Sequence, residues 1–149
     1  MSQVIYTIAV WVIPVLLAIT LHEAAHGWVA NKLGDPTARQ LGRISLNPFR
    51  HIDPMGTVVV PLALVMLSGF IMGWAKPVPV DMRYFKQPLL DMALVALAGP
   101  LSNFMMACGW ALFALVSHTV FAGGALTTYL VAVGSAGITI NLILMVLNL

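Results

Sequence analysis

The sequence predicts an all-α membrane protein: three transmembrane helices, a shorter apolar segment read as re-entrant, and a small β-hairpin or edge strand. Three observations carry this reading. Hydrophobic residues make up 60% of the chain and charged residues only 8%, whereas about a quarter of the residues of a soluble domain are charged. The apolar residues fall into four runs, three of them long enough to cross a hydrocarbon core of about 30 Å. All seven Lys and Arg residues lie in the two segments that flank the remaining run, a distribution that bears on topology. The formal charge of +2 is too small to suggest a nucleic-acid partner; the lipid bilayer is the partner this composition demands.

The first run, Val4 to Ala30, is interrupted only by Thr7, Thr20, His22, Glu23 and His26. As a helix it rises roughly 40 Å, enough to span with some tilt, with a kink expected at Pro14. Tyr6 and Trp11 near one end and Trp28 near the other suit interfacial belts. The run has no basic flank before it and carries ionisable groups where a signal peptide would be cleaved, so it is read as retained. Gly-Asp-Pro, Asn-Pro and Asp-Pro steps then break the helix in "KLGDPTARQLGRISLNPFRHIDPMG".

Thr57 to Trp74, the second run, contains Pro61, Gly69 and Gly73 and is barely long enough to span. Full crossing would put the two basic segments on opposite faces, against the positive-inside tendency. Entry and return places all seven charges in the cytoplasm and the N-terminus outside. In the following "KPVPV" the prolines favour an extended edge strand over a helix. Met92 to Val116 and Ala125 to Leu149 are the third and fourth runs. On the fourth, Gly134, Gly137, Asn141 and Asn148 share one helical face, which should look inward, away from lipid. Cys108 is the only cysteine; it excludes a disulfide framework and is expected to be a small core residue. Residues 1–149 read as one domain.

"LHEAAHGWVANKLG" carries the chemistry. Residues i and i+4 lie one turn apart on one helical face, so His22 and His26 can present imidazoles to one zinc ion. Glu23, beside them, can act as general base toward a water that the metal activates. An ionisable group at membrane depth costs a few kcal/mol and is by default functional; zinc would offset the burial of the imidazoles. Ala18 and Ala30 extend the same face and let neighbouring helices approach.

Other residues are candidates for lesser roles. A site that cuts peptide bonds must hold its substrate extended, and the edge formed by Pro77, Val78 and Pro79 can pair with a peptide main chain; a plain turn between membrane segments is the alternative. Asn103 follows "AGP", where Pro100 frees a backbone carbonyl and an amide can satisfy such groups; it is also a candidate for binding substrate or an oxyanion. His51 and Asp53 are candidates for the second shell of the metal or for ligation.

"LHEAAHGWVANKLGDPTARQLGRISLNPFRHIDPMGT", "GWAKPVPV" and "ALAGPLSN" resemble, in order and spacing, the site-2 protease family of intramembrane zinc metalloproteases, in particular its short bacterial members without a PDZ domain. The resemblance implies a metalloendopeptidase that hydrolyses membrane-anchored protein substrates, with His22 and His26 holding one Zn2+ per chain and Glu23 as catalytic base. It implies a multi-pass protein of the bacterial cell membrane with its site toward the cytoplasm, and a homo-oligomer is compatible with it. It also implies a third ligand, an aspartate in a later Asn-x-x-Pro-x-x-x-x-Asp-Gly motif. Asn148 matches the opening Asn of that motif, which makes it a candidate for substrate or oxyanion binding, but the sequence ends "LNL". A fragment truncated at its C-terminus is the expectation; substitution by His51 or Asp53, or an inactive scaffold, are the alternatives. A membrane metal-handling or transport protein is a further alternative, disfavoured because runs three and four offer mainly amides as ligands.

Overall fold

Ser2 opens the first helix by accepting a hydrogen bond from the Ile5 N–H, the usual service of a serine at an N-terminus. The structure, a computed structural model, describes residues 2–68, 74–121 and 123–149. Helix α1 runs Gln3–Lys32 through a buried Pro14. It ends where Gly34 adopts φ 115°, so that the Asp35 N–H reaches the Ala30 carbonyl at 3.0 Å and the Gly34 N–H that of Asn31 at 3.4 Å. This is a Schellman cap, which favours glycine at that place. A short helix α2, Thr37–Gln40, follows.

Helices α4, Pro88–Val120, and α5, Ala125–Leu147, complete the membrane body. With α1 they are the three helices, among the described residues, that are long and apolar enough to cross a bilayer; at 1.5 Å per residue they measure about 45, 50 and 35 Å. The α1 and α4 chains run antiparallel, His26 opposite Val95 and His22 opposite Asn103. The short turn after Val120 returns α5 parallel to α1, where the Tyr129 hydroxyl donates to the Ala9 carbonyl at 3.0 Å.

Lipid tails give helices no hydrophobic reason to associate, so close packing at small residues must hold them. A Cβ on Gly134 would meet Ala114 Cβ at 2.8 Å, and one on Gly137 would collide with the Trp110 indole. The stripe predicted on α5 thus faces inward through Gly134, Gly137 and Asn141, while Asn148 is exposed. On α4 the buried positions Val95, Gly99, Asn103 and Ala107 recur every four residues. Cys108 stands one step off that stripe and is exposed, so it is not the core residue expected.

The second apolar run is folded as a π-helical turn, Pro54–Val59, continuing into α3, Val60–Ser68. These 15 residues rise only about 22 Å. Residues 69–73 of the run lie outside the described residues. The Trp74 N–H donates to the Gly56 carbonyl at 3.0 Å, and the Trp74 indole N–H to Asp53 Oδ2 at 3.3 Å. Bonded to each other, the two ends of the run lie on one side, as the re-entrant reading requires.

The predicted hairpin or edge strand is corrected: no β-strand forms among the described residues. Trp74 to Asp81 is extended all the same. Its N–H groups at Trp74, Lys76, Val78 and Asp81 go to the Gly56 carbonyl, the His51 carbonyl, Glu23 Oε2 and Asp35 Oδ2. Alternate residues from Trp74 to Val78 therefore bond toward the body of the protein, as in a strand, but the acceptors come from separate places and make no ladder. Pro77 and Pro79 have no N–H to offer on the other edge.

Asp35 is fully buried. Its Oδ1 accepts from the N–H of Thr37 at 2.9 Å and its Oδ2 from that of Asp81 at 2.7 Å. Asp35→Ala should lower the stability of the protein by about 2 kcal/mol or more, because each donor left buried and unpaired costs about 1–3 kcal/mol; thermal unfolding in detergent checks this. Single cysteines substituted for Arg39 and Lys86 in a Cys108→Ser background should both react with an impermeant maleimide from one side of sealed vesicles, and a cysteine substituted for Ser2 from the other.

Candidate metal centre

His22 and His26 sit in the C-terminal half of α1, about 9–15 Å from Lys32 along the helix axis. Lys32 itself lies over the exposed Trp28 ring at 5.5 Å, the pairing of base and aromatic found at membrane surfaces. The His22 and His26 rings meet edge to face, with centroids 4.6 Å apart, and their Nε2 atoms point at each other across 3.0 Å. Two nitrogens on one tetrahedral zinc, each at about 2.0–2.1 Å, are separated by about 3.3 Å. The pair fits as two ligands of such an ion with little rearrangement.

The far side of each ring is also engaged. His26 Nδ1–H donates to the Val95 carbonyl at 2.6 Å. Val95 is anchored in a cluster with Ala30 and Phe85, all buried, so its carbonyl holds a fixed place. His22 Nδ1 accepts from the Asn103 amide, Nδ2, at 3.1 Å. Asn103 is 0% exposed, and its Oδ1 is a buried acceptor with no partner among the described residues.

Gly99 makes room for this arrangement. A Cβ at that position would strike His26 Nε2, and His22 Cε1 at 2.5 Å. Here α4 passes the imidazoles with bare backbone. Pro100 follows at once; lacking an N–H, it leaves the Ala96 carbonyl without its helical donor. The sequence marks a break at Gly99-Pro100, but only the structure locates it opposite the two rings.

Glu23 is partly buried on the neighbouring face, with Oε2 accepting the Val78 N–H at 3.0 Å. The Val78 side chain lies over Gly27, where a Cβ would stand 3.2 Å from Val78 Cγ1 and from Ile44 Cγ1. The "KPVPV" segment therefore passes directly across the candidate base, and its single N–H between two prolines is spent on that carboxylate.

The remaining candidates are more distant in role. His51, 1% exposed, directs Nε2 to the Ser45 carbonyl at 2.8 Å, and its own carbonyl accepts Lys76 N–H. Asp53 caps the π-helical turn, taking Met55 N–H at 2.9 Å and Gly56 N–H at 3.3 Å. These bonds, Gly56 first, hold its carboxyl below the usual range. Asp81, at the other end of the extended segment, is held down at about 2 by the Arg83 guanidinium. Its interactions are complete above the ordinary carboxylate pKa and are lost as pH falls toward 2. Asn148 turns its amide to the Leu144 carbonyl at 2.7 Å. Among the described residues no third His, Cys, Asp or Glu joins the histidine pair in a cluster. The Ala9–Tyr129 register, extended down the two parallel helices, brings the last turns of α5 to the level of His22 and His26.

The chain is 42% identical over 140 residues to YwhC of Bacillus subtilis, a protein that carries the name of a zinc metalloprotease; the match covers 93% of this chain and 61% of the relative. Rip2 of Mycolicibacterium smegmatis, also named as a zinc metalloprotease, is 30% identical over 69% of this chain and 37% of its own length. The regulator of sigma-E protease RseP of Escherichia coli is 28% identical over 72% of this chain and 25% of its own. The chain thus spans about three fifths of the first relative and smaller shares of the others. No family model and no solved structure matches it.

Gly99→Ala should force the two imidazoles apart. Zinc affinity, read by competition with a chromophoric chelator, is expected to fall about tenfold or more while helix content by circular dichroism stays unchanged.

Proposed function

Since this chain belongs to the site-2 protease family, we propose that it is the core of a zinc-dependent endopeptidase that cuts membrane-anchored proteins within or beside the bilayer. One observation carries the reading: two imidazole Nε2 atoms converge at 3.0 Å inside a membrane helix, with a carboxylate on the next residue. Both Nδ1 atoms bond to α4, as histidines that join helices would, but that role does not require the two Nε2 atoms to converge on each other.

His22 and His26 would hold one zinc ion per chain through Nε2. Zinc, when bound, supplies a Lewis acid that polarises the scissile carbonyl and lowers the pKa of water. Every other part belongs to the chain. The Val78 N–H fixes Glu23 by one oxygen and leaves the other to take a proton from the attacking water and then to pass it to the departing amide nitrogen. The Val95 carbonyl keeps the proton of His26 on Nδ1. Pro77, Val78 and Pro79 lie where a peptide reaching Glu23 would pass, and the α5 register would let Asn148 meet it. A third ligand would enter most directly from chain following α5, since that helix ends at the depth of the histidines.

The basic residues of the two loops, under the positive-inside tendency, support a site on the cytoplasmic side of the cell membrane. Glu23→Gln in the full-length protein should retain stoichiometric zinc and lower cleavage of a membrane-anchored substrate by about 10²–10⁴-fold. Cleavage at the unmodified rate would reject the mechanism.

A further inference from the structure

The hydrogen bonds around His22 fix the place of its proton. Asn103 Nδ2 can only donate, so His22 Nδ1 accepts. The Val95 carbonyl can only accept, so His26 Nδ1 donates to it and the Nε2 of a neutral His26 is an acceptor. With the amide oriented as it stands, the His22 proton is on Nε2, directed toward His26 Nε2 at 3.0 Å and the Gly99 backbone, which also bonds to this ring. In this state His22 has a proton on the very nitrogen that would face a metal.

A half-turn of the Asn103 amide reverses the assignment. Oδ1, fully buried and without a partner among the described residues, would come to His22 Nδ1 and accept a proton there. Nε2 of His22 would be left with a bare lone pair, matching His26. An unpaired buried acceptor is unusual and calls for a reason. The half-turn exchanges an unpaired oxygen for an unpaired N–H, so the amide can face either tautomer of the ring with one atom left unbonded in each case.

We propose that Asn103 is a positioning residue for His22: its amide reorients on metal binding, accepts the Nδ1 proton and so selects the ring tautomer that can ligate. This rests on the metal-site reading above. It assigns Asn103 to the rear of a ligand and not to substrate or an oxyanion.

The test is zinc affinity of the intact protein in detergent at fixed pH, measured by competition with a chromophoric chelator. Asn103→Leu, which keeps the branched outline with somewhat more bulk but cannot accept, should weaken binding about 10–100-fold. Asn103→Asp, which can only accept from Nδ1–H, should bind within a fewfold of the wild type or more tightly. A merely structural role predicts the opposite order, because a buried carboxylate is a poorer filler than leucine. Nitrogen-15 spectra of histidine-labelled wild type give a second readout that needs no variant: His22 Nδ1 should pass from unprotonated to protonated when zinc is added. Equal affinity of the Asn103→Leu variant and the wild type, or a His22 Nδ1 that stays unprotonated with zinc bound, would overturn the proposal while leaving the metal site intact. A wild type that takes up no zinc would remove the metal site and this inference together.

Discussion

Two imidazole nitrogens 3.0 Å apart inside a membrane bundle impose a demand that most of the other packing meets. Each ring needs a partner for its second nitrogen, and helix α4 supplies both. Helix α4 must therefore come close enough to give the Val95 carbonyl to one ring and the Asn103 amide to the other. That approach is possible only at Gly99, where any side chain would occupy the place of the rings. Helix α5 in turn grips α4 through Gly134 and Gly137 against Ala114 and Trp110. The small residues spread over the helices are thus parts of one distance requirement.

A second set of constraints orients Glu23. A carboxylate on a helix has several rotamers, and a fixed donor nearby selects among them. The Val78 N–H achieves this from outside the helix, and the extended segment that bears it is pinned on both sides, by His51 and Gly56 before it and by Asp35 after it. Asp35 is three residues past the end of α1, so the same helix that carries the histidines also fixes one end of the segment lying over Glu23. A buried carboxylate is tolerated there because two backbone N–H groups compensate it.

Much of this was legible in the residues. Runs of apolar side chains disclose three spanning helices because hydrophobic length is a local property, and the i, i+4 spacing of His22 and His26 discloses their shared face for the same reason. The basic residues on both flanks of the run from Thr57 to Trp74 pointed to a return, and the Gly56–Trp74 bond is compatible with it. What stayed hidden was non-local. The Val95 carbonyl has no signature, since every residue carries one. Gly99 announced a break but not which side chains lie opposite it, which depends on the register between α1 and α4. The extended segment was expected to be a strand because its prolines and valines suit one. Whether it would find a ladder depended on acceptors scattered from Glu23 to Gly56, which no local pattern encodes.

The alternation in Trp74 to Asp81 leaves an uneven outer margin. Toward the protein, amide hydrogens are handed to Gly56, His51 and Glu23; on the opposite flank Pro77 and Pro79 keep their oxygens but have no hydrogens to lend. Past the Ala75 N–H, that flank presents acceptors without donors. Such a rail has little to offer a second copy of itself, which discourages mutual zippering along this edge.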